Sequence, residues 1–303
     1  MGEGKAFVPG HISGFFEMFD ESEDPLKNGS RNCGFCIDAG VLTEVEAVES
    51  STTDLQIFIN GSKSSAKTSE TAIRESLGRS DKNASVEVKH SVYAPVGAGY
   101  GMSGAGALGA VLALSQALDL GLNRGDVVSE AHKAEVLCKS GLGDVGPEMM
   151  GGLVIGLEPG APPYGRWDRI EVPDDLELLC GTMGSLSTSG LLTNPDFQKR
   201  IKKLGKRAMD ELLSDKSLEN FMKISKNFAL EIGVFDEDFE KAVREISSKS
   251  PYGASIVLLG KAVFAPCPVS KIDNLKQIFL DYFDNKDIMR TSINFTGAEV
   301  LNK

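Results

Sequence analysis

Glycines 97, 99, 101, 104 and 106 fall in PVGAGYGMSGAGALGAVLALSQAL, which begins at Pro95 as a glycine-rich loop and runs into a small-residue and leucine-rich helix predicted over 104–118. Glycines let backbone N–H groups converge on a phosphate, and the first turn of a helix adds free donors and the positive end of its dipole. Candidate phosphate contacts are therefore Pro95, Gly97, Ala98, Gly99, Gly101, Met102, Ser103, Gly104, Ala105 and Gly106. Ser103 stands at the loop-to-helix junction, where its hydroxyl suits a phosphate oxygen or a bound Mg²⁺. The segment is not the ordinary P-loop, because no Gly-Lys-Ser/Thr ending follows. Nor is it a dinucleotide fingerprint, because no acidic ribose partner can be assigned. Close helix packing by small residues would explain Gly106 and Gly109 but not the loop glycines.

A second helix is predicted over 124–139. At about 100° per residue, Val127, Val128, Ala131, Ala134 and Cys138 share one arc, and Glu135 falls on that apolar side. A carboxylate there must be paired, protonated or bound to a metal, since an isolated buried charge is too costly. Mg²⁺ is a reasonable partner if phosphates are near, so Ser103 and Glu135 are candidate metal ligands. A buried structural acceptor is the alternative for Glu135. Asp144 lies in Gly-Leu-Gly-Asp, just past this helix and before Gly151-Gly152. Loop aspartates ordinarily form turns. Beside Glu135 and the glycine loop, Asp144 becomes a candidate base or orienting group for a hydroxyl that attacks a γ-phosphate.

His11 follows Pro9-Gly10 and precedes Ser13 in a predicted loop, from which it could donate to a substrate oxygen. Arg31, in GSRNCG, offers a guanidinium that suits a small carboxylate. His11, Ser13 and Arg31 are thus candidate acceptor-binding residues; an ordinary hydrogen-bonded histidine and a solvent-exposed arginine are the plainer alternatives. Cys33 and Cys36 have the spacing of a redox or half-zinc motif, but no second pair follows, so small buried thiols are expected. His90 and His132 lack acidic or cysteine neighbours at useful spacing and are expected to be structural or solvated.

The elements that must position these groups are of mixed type. Strands are predicted over 41–48, 55–59, 86–93, 153–157 and 176–180, and a helix over 69–77. Further on come helices over 195–213, 218–232, 236–246 and 275–283, an apolar run over 254–260 with a hairpin continuation, and a closing strand over 288–295. Strands and helices do not alternate as a doubly wound sheet requires, so the fold class is α+β. A break at 159–163 places the domain boundary near 160, giving a phosphate-binding unit over 1–160 and an α+β unit over 161–303.

The chain has 303 residues, 41% apolar and 25% charged, which suits a folded core of one or two domains and excludes global disorder. A net charge of −11 argues against a nucleic-acid or anionic-membrane partner. The 5 cysteines are odd in number and irregularly spaced, which favours a reducing compartment over a disulfide framework. The opening MGEGKAFVPGHISGFF lacks the marks of a targeting signal, and no apolar stretch is long enough to suggest a membrane span. A soluble, cytoplasmic protein is expected.

PVGAGYGMSGA resembles the phosphate-binding loop of the small-molecule kinases that include galactokinase, homoserine kinase, mevalonate kinase and phosphomevalonate kinase. That pattern reads Pro-x-x-x-Gly-Leu-Gly-Ser-Ser-Ala. Here Tyr100 takes the Leu place, Met102 the first Ser and Gly104 the Ala, while Ser103 keeps the second Ser. Phe7-Val-Pro-Gly-His11 is similar to the first motif of that superfamily, with His11 in the place of a Lys. Glu135 and Asp144 resemble its acidic helix residue and its catalytic aspartate. The segment 250–260 is a glycine-poor version of the third motif.

Within the superfamily, GSRNCGFCIDAGVLTEV, AHKAEVLCKSGLGDVGPEMMGG and ASIVLLGKAVFA, taken with the loop, resemble archaeal pantoate kinases. The resemblance implies a two-domain small-molecule kinase fold and homodimers. It also implies ATP-dependent, Mg²⁺-assisted phosphorylation of the hydroxy acid pantoate to 4-phosphopantoate, on the route to coenzyme A. A kinase of another small alcohol such as mevalonate or homoserine is the alternative within the superfamily, and a non-catalytic ligand-sensing relative is the alternative outside catalysis. Ser103, Glu135 and Asp144 speak against the sensor, which needs neither metal nor base.

Asn in place of Asp144 keeps the size of the side chain but cannot take up a proton as a carboxylate does. Asp144→Asn is expected to lower single-turnover product formation by roughly 10²-fold or more while ATP binding, read by calorimetry, survives. Near-normal turnover in the folded variant would remove the residue from the chemistry.

Overall fold

The computed structural model describes residues 2–185, 195–258 and 260–302. In chain order the elements begin with β1 (Gly2–Phe19), β2 (Gly29–Glu49), β3 (Asp54–Ile59), β4 (Ser62–Lys63), α1 (Lys67–Arg79) and β5 (Ala84–Val92). Next are α2 (Met102–Leu118), α3 (Arg124–Cys138), α4 (Val145–Met150), β6 (Leu153–Glu158), β7 (Arg166–Ile170) and β8 (Leu176–Ser185). The chain continues through α5 (Pro195–Ser214), α6 (Leu218–Glu231), α7 (Glu237–Lys249), β9 (Ser255–Val257) and β10 (Gly260–Pro268). It closes with α8 (Ile272–Leu280), β11 (Ile288–Ser292) and β12 (Glu299–Val300). Leu259, inside the apolar run predicted over 254–260, lies outside the described residues.

The strands form two sheets. The first has the order β12-β1-β2-β5-β3-β4, with β6 paired to the opening part of β2 and β7 to β6; β3 and β5 run parallel and the other pairs antiparallel. The second is antiparallel with the order β11-β8-β10-β9. Mixed sheets with helices set apart from the strand order make this an α+β fold. Strands β7 and β12 come from 161–303 yet hydrogen-bond within the first sheet. The chain therefore leaves that sheet at the 171–175 connector and returns to it at β12.

β1 and the first half of β2 are strands where loops around His11 and Arg31 were predicted. Burial along β1 is nearly continuous from Val8 to Met18, so the strand lacks the apolar–polar alternation that marks a half-exposed one. Pro9 hides it further. It sits at a register shift between Val8 and Gly10, a bulge position that tolerates a residue without an N–H.

α2 is apolar all round because it is buried all round: every residue from Ala105 to Leu114 is buried. Its backbone lies directly on β1, where a side chain at Gly4 would stand 1.9 Å from the Ala113 carbonyl oxygen. α5 and α6 pack on the second half of β1, with Phe15 meeting Phe221 and Phe228. One hydrophobic cluster thus runs through both sheets. No helix among the described residues is long and apolar enough to cross a membrane. All 5 cysteines carry free thiols, and Cys33 and Cys36 are buried on β2.

His90 joins three elements of the first layer. Buried on β5, its Nδ1 lies 2.9 Å from Thr43 Oγ1 on β2 and its Nε2 lies 3.1 Å from Ser69 Oγ on α1. Burial pushes the imidazole down from its ordinary 6.5 to about 4. Between those two values an unfolded chain takes up a proton that the folded one refuses, so the stability due to neutral His90 is complete above the unfolded value and lost as pH falls toward the folded one. The stability difference between wild type and His90→Gln, measured by denaturant unfolding, is expected to shift against wild type by up to about 3 kcal/mol between neutral pH and pH 4. A flat difference over that window would mean that His90 is hydrated in the folded protein.

Candidate active site

The glycine loop is built by alternation. Gly97, Gly99 and Gly101 hold φ of +77°, +87° and +75°, which L side chains rarely adopt. Between them Ala98 and Tyr100 turn inward and are buried. The Tyr100 hydroxyl lies 2.7 Å from Thr182 Oγ1 on β8. Burial, reinforced by Cys180, pushes the phenol far above its ordinary range, so Tyr100 is a neutral anchor. From the other side, a side chain at Gly260 would stand 1.9 Å from the Ala98 carbonyl oxygen, and one at Gly99 2.5 Å from that of Leu258. The glycine-poor segment 250–260 therefore meets the loop as backbone against backbone.

Ser103 is exposed on the first turn of α2. Its hydroxyl donates to Thr68 Oγ1 on α1 at 3.0 Å, and Thr68 in turn donates to Ser140 Oγ at 3.0 Å. Spending the proton this way leaves the lone pairs of Ser103 Oγ for a cation or an outside donor.

Beneath the same turn lies a group of acids, and Gly104 makes their approach possible. A Cβ there would sit 3.1 Å from Glu135 Oε1, 3.0 Å from Glu148 Oε2 and 3.4 Å from Asp144 Cβ. Glu135 on α3 and Glu148 on α4 are both 0% exposed, and no hydrogen bond of normal geometry reaches either carboxyl. The N–H groups of Asp144 and Val145 face Glu135, and that of Ala105 faces Glu148. Burial first, and then the charge of Asp144, pushes the Glu135 carboxyl well above the usual carboxylate range; Glu148 is raised by burial, by Asp144 and by Glu135.

Asp144 occupies the N-cap position of α4 but makes no side-chain cap bond. Its carboxylate is held instead by His11, whose Nδ1 lies 2.8 Å from Asp144 Oδ1. A carboxylate only accepts, so Nδ1 must carry the proton. Ser13 Oγ stands 3.5 Å from the same nitrogen. The Asp144 side chain is 27% exposed, which opens it to an incoming substrate as Glu135 and Glu148 are not. His11 is buried on β1 and its backbone N–H donates to the Tyr100 carbonyl at 2.9 Å, tying the strand to the glycine loop. Asn32 Nδ2 donates to the Gly143 carbonyl at 2.9 Å and so fixes the residue before Asp144.

His11, Ser13, Glu135, Asp144 and the first turn of α2 are thus brought together. Arg31 is not. Its Nε donates to Glu17 Oε2 at 2.8 Å, its terminal nitrogen pairs with the same oxygen, and the guanidinium lies over the Phe19 ring. Alternation along β2 turns neighbouring side chains to opposite faces, and Asn32 takes the face toward Gly143. Glu148 and Asn32 escaped the sequence reading. The signal for Glu148 was a lone charge in VGPEMMGG, a segment otherwise without any; Asn32 had none.

The unpartnered oxygens of Glu135 and the free lone pairs of Ser103 fit a hard divalent cation. No three His, Cys, Asp or Glu side chains among the described residues converge as a metal cage. Mg²⁺ takes one or two carboxylates while phosphate oxygens and waters supply the rest.

Residues 65–152, which carry the glycine loop, α2, α3 and α4, match the GHMP kinases N terminal domain. Over 270 residues the chain is 34% identical to the pantoate kinase of Methanocaldococcus jannaschii, covering 89% of this chain and 94% of that one. It is also 34% identical to the pantoate kinase of Thermococcus kodakarensis, with 91% and 92% covered. Among solved structures, one described as a phosphotransferase related to the CoA biosynthesis pathway superposes with a TM-score of 0.87 at 28% identity, over 99% of this chain and 98% of that one.

The hydroxyl of Ser103 is exposed and bonded only to another hydroxyl, so its loss should touch chemistry more than folding. Ser103→Ala is expected to lower turnover roughly tenfold or more, about 1.4 kcal/mol of transition-state stabilisation, with an unchanged melting temperature. Full turnover at saturating ATP and Mg²⁺ would take Ser103 out of the site.

Proposed function

From its membership of the pantoate kinase family, within the GHMP kinases, we propose that this chain transfers the γ-phosphoryl group of ATP to the primary hydroxyl of pantoate, giving 4-phosphopantoate on the way to coenzyme A. The observation that supports this most is the His11–Asp144 pair, a 2.8 Å contact that leaves a partly open carboxylate beside the first turn of α2.

The backbone of 97–106 receives the phosphates, with the free N–H groups and dipole of α2 behind it. Ser103 and Glu135 hold Mg²⁺, which when bound offsets the charge gathering on the phosphate oxygens. Asp144 accepts or orients the proton of the acceptor hydroxyl. His11 donates from Nδ1 to keep that carboxylate in place, and Ser13 lies beside it. Phosphoryl transfer depends mostly on positioning, so the rigid seat of Asp144 matters as much as its basicity. The reading carries with it the homodimer that the sequence resemblance implies and the cytoplasmic location expected from the cysteine usage.

The test is product formation with ATP and Mg²⁺ over a panel of pantoate, mevalonate and homoserine. Pantoate is expected to give a kcat/KM at least roughly 10²-fold above the others, since a site built for one set of polar groups leaves them unpaired against another acceptor. Preference for mevalonate or homoserine would move the acceptor within the superfamily. Ligand binding without turnover on any of them would favour a sensor.

A further inference from the structure

Glu148 has no part in the mechanism above, yet its carboxyl lies flush against the phosphate loop. A Cβ at Gly101 would stand 2.7 Å from Glu148 Oε1, and one at Gly104 would stand 3.0 Å from Oε2. The side chain is 0% exposed and both oxygens lack a hydrogen-bond partner. Glu135, with two equally unpartnered oxygens, shares that space: one point, the Cβ position at Gly104, lies within 3.1 Å of an oxygen from each glutamate.

Nothing basic offsets the pair. Among the described residues no lysine or arginine makes an ion pair with Glu135, Glu148 or Asp144, and His11 is already taken by Asp144. Two buried carboxyls in one space are costly until a cation settles between them or a proton neutralises each. A hard divalent ion fits the donor set, which is all oxygen, and the two carboxyls, each within 3.1 Å of the Cβ position at Gly104, are close enough to feel each other's charge.

We propose that Glu148 is a second carboxylate ligand of the divalent-cation site, shared with Glu135, and that the two hold the ion before nucleotide arrives. The proposal rests on the kinase reading only for the use to which the cation is put.

Mn²⁺ serves as the probe, read by electron paramagnetic resonance of the free ion in the nucleotide-free full chain. Wild type is expected to bind Mn²⁺ and to melt at a higher temperature in its presence. Glu148→Gln and Glu135→Gln should each weaken that affinity roughly tenfold or more and lose the thermal shift. A folded Glu148→Gln protein that titrates like wild type overturns the proposal, and so does a wild type that binds no Mn²⁺ without nucleotide. Should the Gln variant fail to fold, wild type grown on glutamate isotopically labelled at the side-chain carboxyl carbon keeps the question answerable. Electron–nuclear double resonance of its bound Mn²⁺ then shows two coupled glutamate carboxyls if the proposal holds and one if it does not. Product formation is measured on the same preparations. Lost turnover in wild type with Mn²⁺ still bound is a failure of the kinase reading, whereas unchanged Mn²⁺ affinity in the variant with turnover intact in wild type is a failure of this one.

Discussion

Glu135, Glu148 and Asp144 crowd beneath the first turn of α2, and the arrangement is possible because residue 104 has no side chain. Buried negative charge of this density is tolerated where dipoles, protons or cations answer it. The N-terminus of α2 supplies dipole and free N–H groups, His11 supplies one donor to Asp144, and the oxygens of Glu135 and Glu148 are left without a hydrogen-bond partner. Much of the surrounding structure keeps that terminus where it is. α2 is apolar around its circumference because the first sheet, α1, α3 and α4 enclose it, and Gly4 lets its backbone rest on β1.

β1 and β2 do the long-range work. Each meets α2 over one half and α5 and α6 over the other. His11 sits where the two halves meet, and its main chain holds the Tyr100 carbonyl while its ring holds Asp144. A single strand position thereby ties the glycine loop to Asp144. Asn32, across the sheet, secures Gly143 and so the approach to Asp144 from the other side. Catalysis by positioning asks for this kind of redundancy, since a shift of about 1 Å in a reacting group costs about 10²-fold in rate.

The glycine loop, the helix behind it, the inward phase of Glu135 and the placing of Asp144 between a helix end and Gly151-Gly152 were legible in the sequence. The reason is that each is local. Positive φ at Gly97, Gly99 and Gly101 is a demand made residue by residue, and the side of a helix on which Glu135 falls follows from its period. The strand that carries His11, the pairing of Arg31 with Glu17 and the presence of Glu148 were decided by tertiary structure. β1 carries register shifts between Val8 and Gly10 and between Ser13 and Phe15. At the first shift β1 advances two residues against four on β2, which keeps the facing of both strands; at the second it advances two against one, so the two strands change facing relative to each other there. His11 is paired with Cys36 before the second shift and Arg31 with Glu17 after it, so the faces they take follow from a long-range register that no local period encodes. Glu148 becomes a neighbour of Gly101 and Gly104 only once α2 and α4 close on each other. Periods and φ values are properties of a few adjacent residues, but the company a side chain keeps is a property of the whole fold.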